Sequence, residues 1–285
     1  MMVVIHRLVR AGIRAALRPM PLTISAHLCR LCPRLIYHLP AKRCTVAKNY
    51  CGRFQVLIDT TYFIERCLLG NCFEPGLLAG FKAFIAPGDI VIDIGANVGA
   101  ATIPAAHAVG ERGRVIAFEP GPFALRLRQN LALNPQLEAR VQVVDQGLSD
   151  APGFMLWTED EANPGNASLG LTGTHQVPVT TLDRFLTTYV STTTRISFLK
   201  IDVEGMEYQV LTGAMDTLRS HLPVIAYETW RLNSSEAFTQ ITDLLSPLGY
   251  HFIQIDARGR RRQATVSDHA EMTFAIPPGR TAHRL

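Results

Sequence analysis

Two segments of this chain bring together residues whose types and spacing suit chemistry. In Asp89-Ile-Val-Ile-Asp-Ile-Gly-Ala-Asn-Val-Gly99, a β-branched run delivers Asp93, Gly95, Asn97 and Gly99 into a helical pattern. Glycines at the carboxyl end of a strand let a ligand approach the backbone, and the N–H groups of the next helix face it. A dinucleotide fingerprint runs Gly-x-Gly-x-x-Gly around a pyrophosphate. Here the order is Asp-x-Gly-x-Asn-x-Gly, which lacks the second and third of those glycines. It also sets a carboxylate where a pyrophosphate would be repelled. A zwitterionic amino-acid tail with a cationic centre suits the loop better. Glu119 ends the next strand pattern, about 20 residues on, where an acid accepts hydrogen bonds from ribose hydroxyls. Asp145 ends a third strand pattern; it either reaches an adenine amine or forms a turn.

The second segment is Phe198-Leu-Lys-Ile-Asp-Val-Glu-Gly205. Strand alternation puts Lys200, Asp202 and Glu204 on one side near the strand tip, where ligands bind in open parallel sheets. Three charges there call for pairing, a metal or a substrate to offset desolvation. Structural ion pairing is the competing explanation, since such networks also perturb pKa. Glu228, after Tyr227 at another strand tip, faces the same crevice. His175, in a loop, is a weaker candidate for base or substrate contact.

The elements that must position these residues alternate. Residues 90–94, 114–118, 141–144, 196–201 and 224–228 read as strands, separated by helical patterns at 98–109, 121–133, 182–189 and 206–219. Continuous apolar β-branched runs fit parallel strands buried on both faces. Short strands at 154–157 and 177–179 flank a Gly/Asn-rich loop, 163–173, expected to lie over the pocket. After a helix at 236–245, residues 250–255 and 272–276 are expected to close the fold as a hairpin through Arg258-Gly259. Strands alternating with helices imply a parallel α/β sheet, to which the hairpin adds an antiparallel edge.

Bulk properties bound the rest. With 47% hydrophobic and 18% charged residues, the 285-residue chain is globular rather than disordered. Its formal charge of +4 conceals an asymmetry: the first 58 residues carry +10 with no acid, and the remainder carries −6. A basic arm on an acidic body suits an anionic neighbour. Arginines at 7, 10, 14 and 18 fall at helical spacing and leave no apolar run for a secretory signal or a spanning helix. The arm fits a helix packed on the domain, an interfacial membrane helix or a transit peptide. All six cysteines precede position 73; Cys29 and Cys32 have zinc half-site spacing, but Cys44 and Cys51 make a poor second half. Buried packing is the simpler role for them. An acidic body without interleaved aromatic and basic residues argues against nucleic acid.

The motifs resemble the FkbM-type methyltransferase family. The resemblance rests on Pro87-Gly-Asp-Ile-Val-Ile-Asp-Ile-Gly-Ala-Asn-Val-Gly99, Ala117-Phe-Glu-Pro120, Asn166-Ala-Ser-Leu169, Val179-Thr-Thr-Leu-Asp183, Leu199-Lys-Ile-Asp-Val-Glu-Gly205 and Val210-Leu-Thr-Gly-Ala214, in that order, with Phe73-Glu-Pro75 ahead of them. It implies a Rossmann-like seven-stranded methyltransferase sheet over residues 51–285, mostly parallel with an antiparallel C-terminal hairpin strand. A basic helical arm over residues 1–50 precedes it. It implies S-adenosylmethionine as methyl donor, held by Asp93, Gly95, Asn97, Gly99 and Glu119, with Asp145 departing from the family pattern. It also implies O-methylation of a hydroxyl on a sugar, glycolipid or specialised metabolite. Lys200, Asp202 and Glu204 are then the catalytic candidates. Asp202 is the first choice of base and Glu204 the second; Lys200 either lowers the acceptor's pKa or pairs with an acid. No metal is assigned, although a metal held by Asp202 and a neighbour stays open as an alternative. The expected acceptor is a small molecule or a glycan- or lipid-linked one. The expected place is the cytoplasm, with peripheral contact to the inner face of a membrane through the arm. A nicotinamide-dependent oxidoreductase and a non-catalytic membrane-associated binding module are the alternative readings.

Overall fold

The computed structural model describes residue 35 and residues 44–159, 167–189, 195–228, 235–265 and 272–282. The basic arm up to residue 34, with Cys29 and Cys32, lies outside the described residues. Two compact units are distinguished, divided after Phe73.

In the first unit, β1 (Cys44–Tyr50) and β2 (Phe54–Asp59) form an antiparallel hairpin with Thr45 opposite Ile58 and Val46 opposite Leu57. Residues 44–50 were expected to be part of the helical arm, and they are strand instead. Thr45, Val46 and Tyr50 favour a pleated surface, and β2 supplies cross-strand partners that a local propensity count does not include. Phe54, Val56 and Ile58 alternate into the unit's core. Helix α1 (Phe63–Gly70) ends on Asn71 at φ 55°, in the left-handed conformation that closes helices.

The second unit begins with α2 (Pro75–Phe84) and β3 (Ile90–Ile94), followed by α3 (Thr102–Ala108), β4 (Arg114–Phe118), α4 (Phe123–Ala132), α5 (Pro135–Glu138) and β5 (Val141–Val144). Next come β6 (Gly147–Leu148), β7 (Gly153–Glu159), β8 (Ala167–Gly170), β9 (His175–Thr180) and α6 (Leu182–Tyr189). The remainder is β10 (Ile196–Ile201), α7 (Glu207–Thr212), α8 (Met215–His221), β11 (Val224–Glu228), α9 (Ser235–Leu245), β12 (His251–Ile255), β13 (Arg261–Gln263) and β14 (Met272–Ile276). The main sheet has eight strands in the order β13-β12-β14-β11-β10-β3-β4-β5. β11, β10, β3, β4 and β5 run parallel, while β14 is antiparallel to β11 and β12. The fold is the expected mostly parallel α/β sheet with an antiparallel C-terminal strand.

Among the described residues an eighth strand, β13, extends the expected sheet at its edge. The hairpin through Arg258-Gly259 joins β12 to β13, not to β14. Asp256 organises it: Oδ1 accepts from the backbone N–H groups of Arg258 and Arg260, at 2.8 and 2.9 Å. The extra strand is three exposed residues long, so it carries no hydrophobic period to announce it. The expected loop at 163–173 is also revised. Residues 167–170 are β8, paired with β7 in a four-stranded side sheet ordered β6-β9-β7-β8, and residues 163–166 lie outside the described residues.

The core is the main sheet sealed on both faces. On one, Ile92, Ile94, Phe118, Leu199, Ile201 and Ile225 pack with Leu182, Val210, Leu211, Leu218, Ile241 and Leu245 in a single cluster. On the other, Phe198 meets Phe81 of α2 edge to face, with ring centroids 5.3 Å apart. The chain progresses from β3 to β4 and β5 in one direction, then returns to β10 and β11 on the other side of β3. The carboxyl ends of β3 and β10 therefore flank the crevice where the strand order reverses, the place where such sheets bind ligands.

Candidate active site

β3 and β10 run side by side with Asp93 opposite Lys200. Both side chains are buried, at 1% and 2% exposure. The Lys200 ammonium donates to the Gly95 carbonyl at 2.7 Å and lies 3.3 Å from Asp93 Oδ1 and from Asp202 Oδ2. Asp93 Oδ2 also accepts from the Thr102 hydroxyl at 2.6 Å. Burial opposes the Lys200 charge, but Asp93, Asp202 and Glu74 outweigh it and hold its pKa above the ordinary lysine value. The Gly95 carbonyl takes one of its N–H donors, and the two carboxylates pair with its charge at 3.3 Å. Lys200 therefore ties the glycine loop to the tip of β10. Asp93 is committed in the same way, to Lys200 and Thr102.

The glycine loop is shaped by the protein's own backbone. Gly95 takes φ +76°, and a Cβ there would stand 1.9 Å from the Asp202 carbonyl. The close approach anticipated for a ligand is made by the neighbouring strand's loop. Gly95 and Ala96 donate to the Phe118 carbonyl, and the Asn97 N–H donates to Glu119 Oε2 at 2.8 Å. Gly99 also has positive φ, +91°, and a Cβ there would press on the Leu127 side chain. The helix expected from residue 98 begins only at Thr102. Glu119, at the tip of β4, accepts from Asn97 with one oxygen and from Gly121 with the other at 3.0 Å. Burial raises its pKa, against the lowering effect of those two N–H groups. A carboxylate has about four lone-pair sites, so each oxygen still has capacity for a ribose hydroxyl. Trp157, at an ordinary alternating strand position in the sequence, approaches the same Gly121 backbone as this acid. Its indole nitrogen would lie 2.6 Å from a Cβ at Gly121. Trp157 sits in an alternating strand, and nothing in that pattern sets it apart from core.

Asp145 does not join this group of buried acids. It is 59% exposed and bound in a bidentate pair to Arg128, both contacts at 2.9 Å. His175 is exposed at the start of β9, against the Thr174 hydroxyl at 2.9 Å.

Beyond β10, Asp202, Glu204 and Glu228 converge, each offering a carboxylate oxygen within 4.8 Å of the others. The Asp202 N–H donates to Ile94, continuing the ladder, and the chain then turns through Glu204 at φ 60° and Gly205 at φ 106°. A left-handed residue with a side chain costs about 1–2 kcal/mol, so this turn is held by its surroundings. Burial pushes the Glu228 pKa up to about 9, reinforced by Asp202, Glu204, Glu207 and Glu74. Its Oε2 is buried without a hydrogen-bond partner among the described residues. Glu74, from Phe73-Glu-Pro75, was not singled out in the sequence; it opens α2 at φ 26° and contributes to the charge balance of both Lys200 and Glu228. The signal for it was slight, a single acid before a proline.

Several resemblance motifs have structural roles. Asp183 caps α8, accepting from the backbone N–H groups of Asp216 and Thr217 at 2.9 and 2.8 Å. Gly213 admits the Ser149 carbonyl, which would lie 2.1 Å from a Cβ. That contact and the cap split the expected helix at 206–219 into α7 and α8.

Known proteins resemble this chain in sequence. The sequence model of the FkbM methyltransferase domain matches residues 93–252, more than half of the chain. The methyltransferase sdnD of Sordaria araneosa is 28% identical over 225 residues, covering 68% of this chain and 83% of that protein. Among solved structures, the FkbM methyltransferase of Methylobacillus flagellatus aligns with a TM-score of 0.48 at 18% identity. That alignment covers 74% of this chain, which spans about half (54%) of that protein. An O-methyltransferase from Thermotoga maritima aligns with a TM-score of 0.43 at 16% identity, over 87% of this chain and 82% of that one. On the extent of the domain match, this chain belongs to the FkbM methyltransferase family.

Proposed function

We propose that this methyltransferase uses S-adenosylmethionine to methylate a hydroxyl group, with Asp202 as the base. The observation that carries the reading is the convergence of Asp202, Glu204 and Glu228 at the strand tips, joined through Lys200 to the glycine loop of β3. The residues fit the donor: Glu119 is fixed by two backbone N–H groups with lone pairs to spare, and the surrounding acids favour a cation. S-adenosylmethionine, when bound, supplies an electrophilic methyl group on a sulfonium.

The chain's own contribution is alignment and proton removal. Lys200 holds the donor loop and Asp202 in one ion network, so the two halves of the site keep their spacing. Positioning of this kind is worth about 7–11 kcal/mol in the best cases. A hydroxyl is a poor nucleophile until its proton leaves. Glu228, with its pKa near 9, holds a proton at neutral pH and cannot take another. Asp202, beside the Lys200 ammonium, would take the hydroxyl proton as the methyl group leaves the sulfonium, whose bonding pair stays on sulfur, for the acceptor oxygen. Glu204 flanks it.

The FkbM resemblance supports a sugar, glycolipid or specialised metabolite as acceptor. The +10 charge of the first 58 residues supports peripheral contact with an anionic membrane face and a cytoplasmic location. Among the described residues, no helix is long and apolar enough to cross a membrane. Mass-spectrometric comparison of metabolites and glycolipids with and without the gene should reveal the acceptor as a methyl-sized difference. With that acceptor, Asp202→Asn should lower turnover by about 10²-fold or more while calorimetric affinity for S-adenosylmethionine is kept. Unchanged turnover would remove Asp202 as base, and binding of NAD in place of the sulfonium donor would overturn the reading entirely.

The same three carboxylates favour a second reading, a divalent cation polarising the acceptor oxygen, because hard oxygen ligands suit such ions. Dialysis against EDTA separates the two. Retained turnover supports the base; loss restored by magnesium supports the ion.

A further inference from the structure

The turn after β10 carries two of the three clustered acids, and the sheet supports only its first residue. After the Asp202 N–H bonds to Ile94, the left-handed residues Glu204 and Gly205 take the chain out of any ladder. The N–H groups of Val203 and Gly205 both donate to one atom, Oε1 of Glu207, each at 3.2 Å. Glu207 opens α7 and is 1% exposed. Its other oxygen is buried without a hydrogen-bond partner among the described residues. Burial raises its pKa, opposed by its own N–H and those of Gly205 and Val203, with Asp202 adding to the rise. An uncharged acceptor of the same shape is therefore compatible with the site.

We propose that Glu207 is a positioning residue, whose carboxyl oxygen clamps the Val203–Gly205 turn and so fixes where Asp202 and Glu204 stand. Its consequence for turnover rests on the methyl-transfer reading; the clamp itself does not. Asp202 and Glu204 are on that turn, whereas Glu228 and Glu119 come from other strands. Loss of the clamp should therefore spare donor binding and affect the acid side alone.

The test compares Glu207→Ala with Glu207→Gln in the full chain, since glutamine keeps an oxygen at the same reach. Amide exchange at Val203 and Gly205 should quicken about tenfold or more in the alanine variant and stay near wild type in the glutamine variant. Transfer of label from S-adenosyl-[methyl-14C]methionine into an extract of cells lacking the gene should follow the same order. It should drop about tenfold or more with alanine, as misplaced reacting groups do, and be rescued by glutamine. Unchanged exchange in the alanine variant overturns the clamp. Equal loss of transfer with glutamine and alanine overturns positioning in favour of a chemical role for the carboxyl. Should the alanine variant not fold, Glu207→Asp, one methylene shorter, replaces it: slow transfer with aspartate and normal transfer with glutamine is expected, and the reverse order overturns the proposal. A wild-type chain that transfers no label would sink the methyl-transfer reading, and the exchange comparison would still decide the clamp.

Discussion

Glu228 enters the folded state as a carboxylic acid. Burial, then Asp202, Glu204, Glu207 and Glu74, move its pKa from 4.5 to about 9. Between those two values the folded chain keeps a proton that the unfolded chain has released. Stability from this group is thus fully present below about pH 4.5 and is lost as the pH rises through about 9. Glu228→Gln, which never ionises, should match wild type near pH 4.5. At pH 9.5 it should exceed wild type by more than about 1.4 kcal/mol, the equivalent of one pKa unit. Urea midpoints across the range would measure the gap, and a gap that does not widen with pH would mean Glu228 ionises as an ordinary acid. The acids Asp202, Glu204 and Glu228 were legible in the sequence because Glu228 ends an apolar strand and the other two follow one within three residues, although Glu204 lies in a left-handed turn and not in the strand alternation expected for it. Their partnerships were not. Asp93, Lys200 and Asp202 become one ion network only through the register of β10 on β3, and register across strands distant in sequence leaves no local mark.

At the scale of elements, the parallel strands β3, β4, β5, β10 and β11 fall where their apolar runs indicate. Burial on both faces writes an unbroken β-branched run, the clearest strand pattern a sequence carries. Breaks and edges leave weaker marks. The division of α7 from α8 depends on Asp183, which comes from before β10, and on the Ser149 carbonyl against Gly213. Neither contact is local to the helices. Asp183 belongs to a motif of the family resemblance, yet its carboxylate is spent on α8: Oδ1 accepts from the Thr217 N–H and hydroxyl, and Oδ2 from the Asp216 N–H. Asp183→Ala should therefore lower stability by about 1–2 kcal/mol, the usual cost of a lost helix cap. The affinity for S-adenosylmethionine should stay as it was. Thermal unfolding and calorimetry on the same variant would check both, and a large fall in affinity with normal stability would move Asp183 into the site.

For the molecule as a whole, the uneven distribution of charge makes a further demand on function. A net +10 in the first 58 residues and −6 in the remainder cannot be read from the total of +4. Near an anionic bilayer each basic residue contributes about 1 kcal/mol, within a Debye length of about 8 Å at physiological salt. If the stretch serves membrane contact, the full chain should co-sediment with phosphatidylserine-containing vesicles at low salt and not with phosphatidylcholine alone. Binding should fall steeply towards about 0.5 M salt, where screening shortens the reach of every charge. Replacing Arg7, Arg10, Arg14 and Arg18 by glutamate changes the chain by eight charges and should abolish co-sedimentation, while donor affinity stays unchanged. Salt-insensitive binding, or binding that survives the charge reversal, would show that the basic stretch is not what meets the membrane, and the case for a lipid-linked acceptor would lose its support.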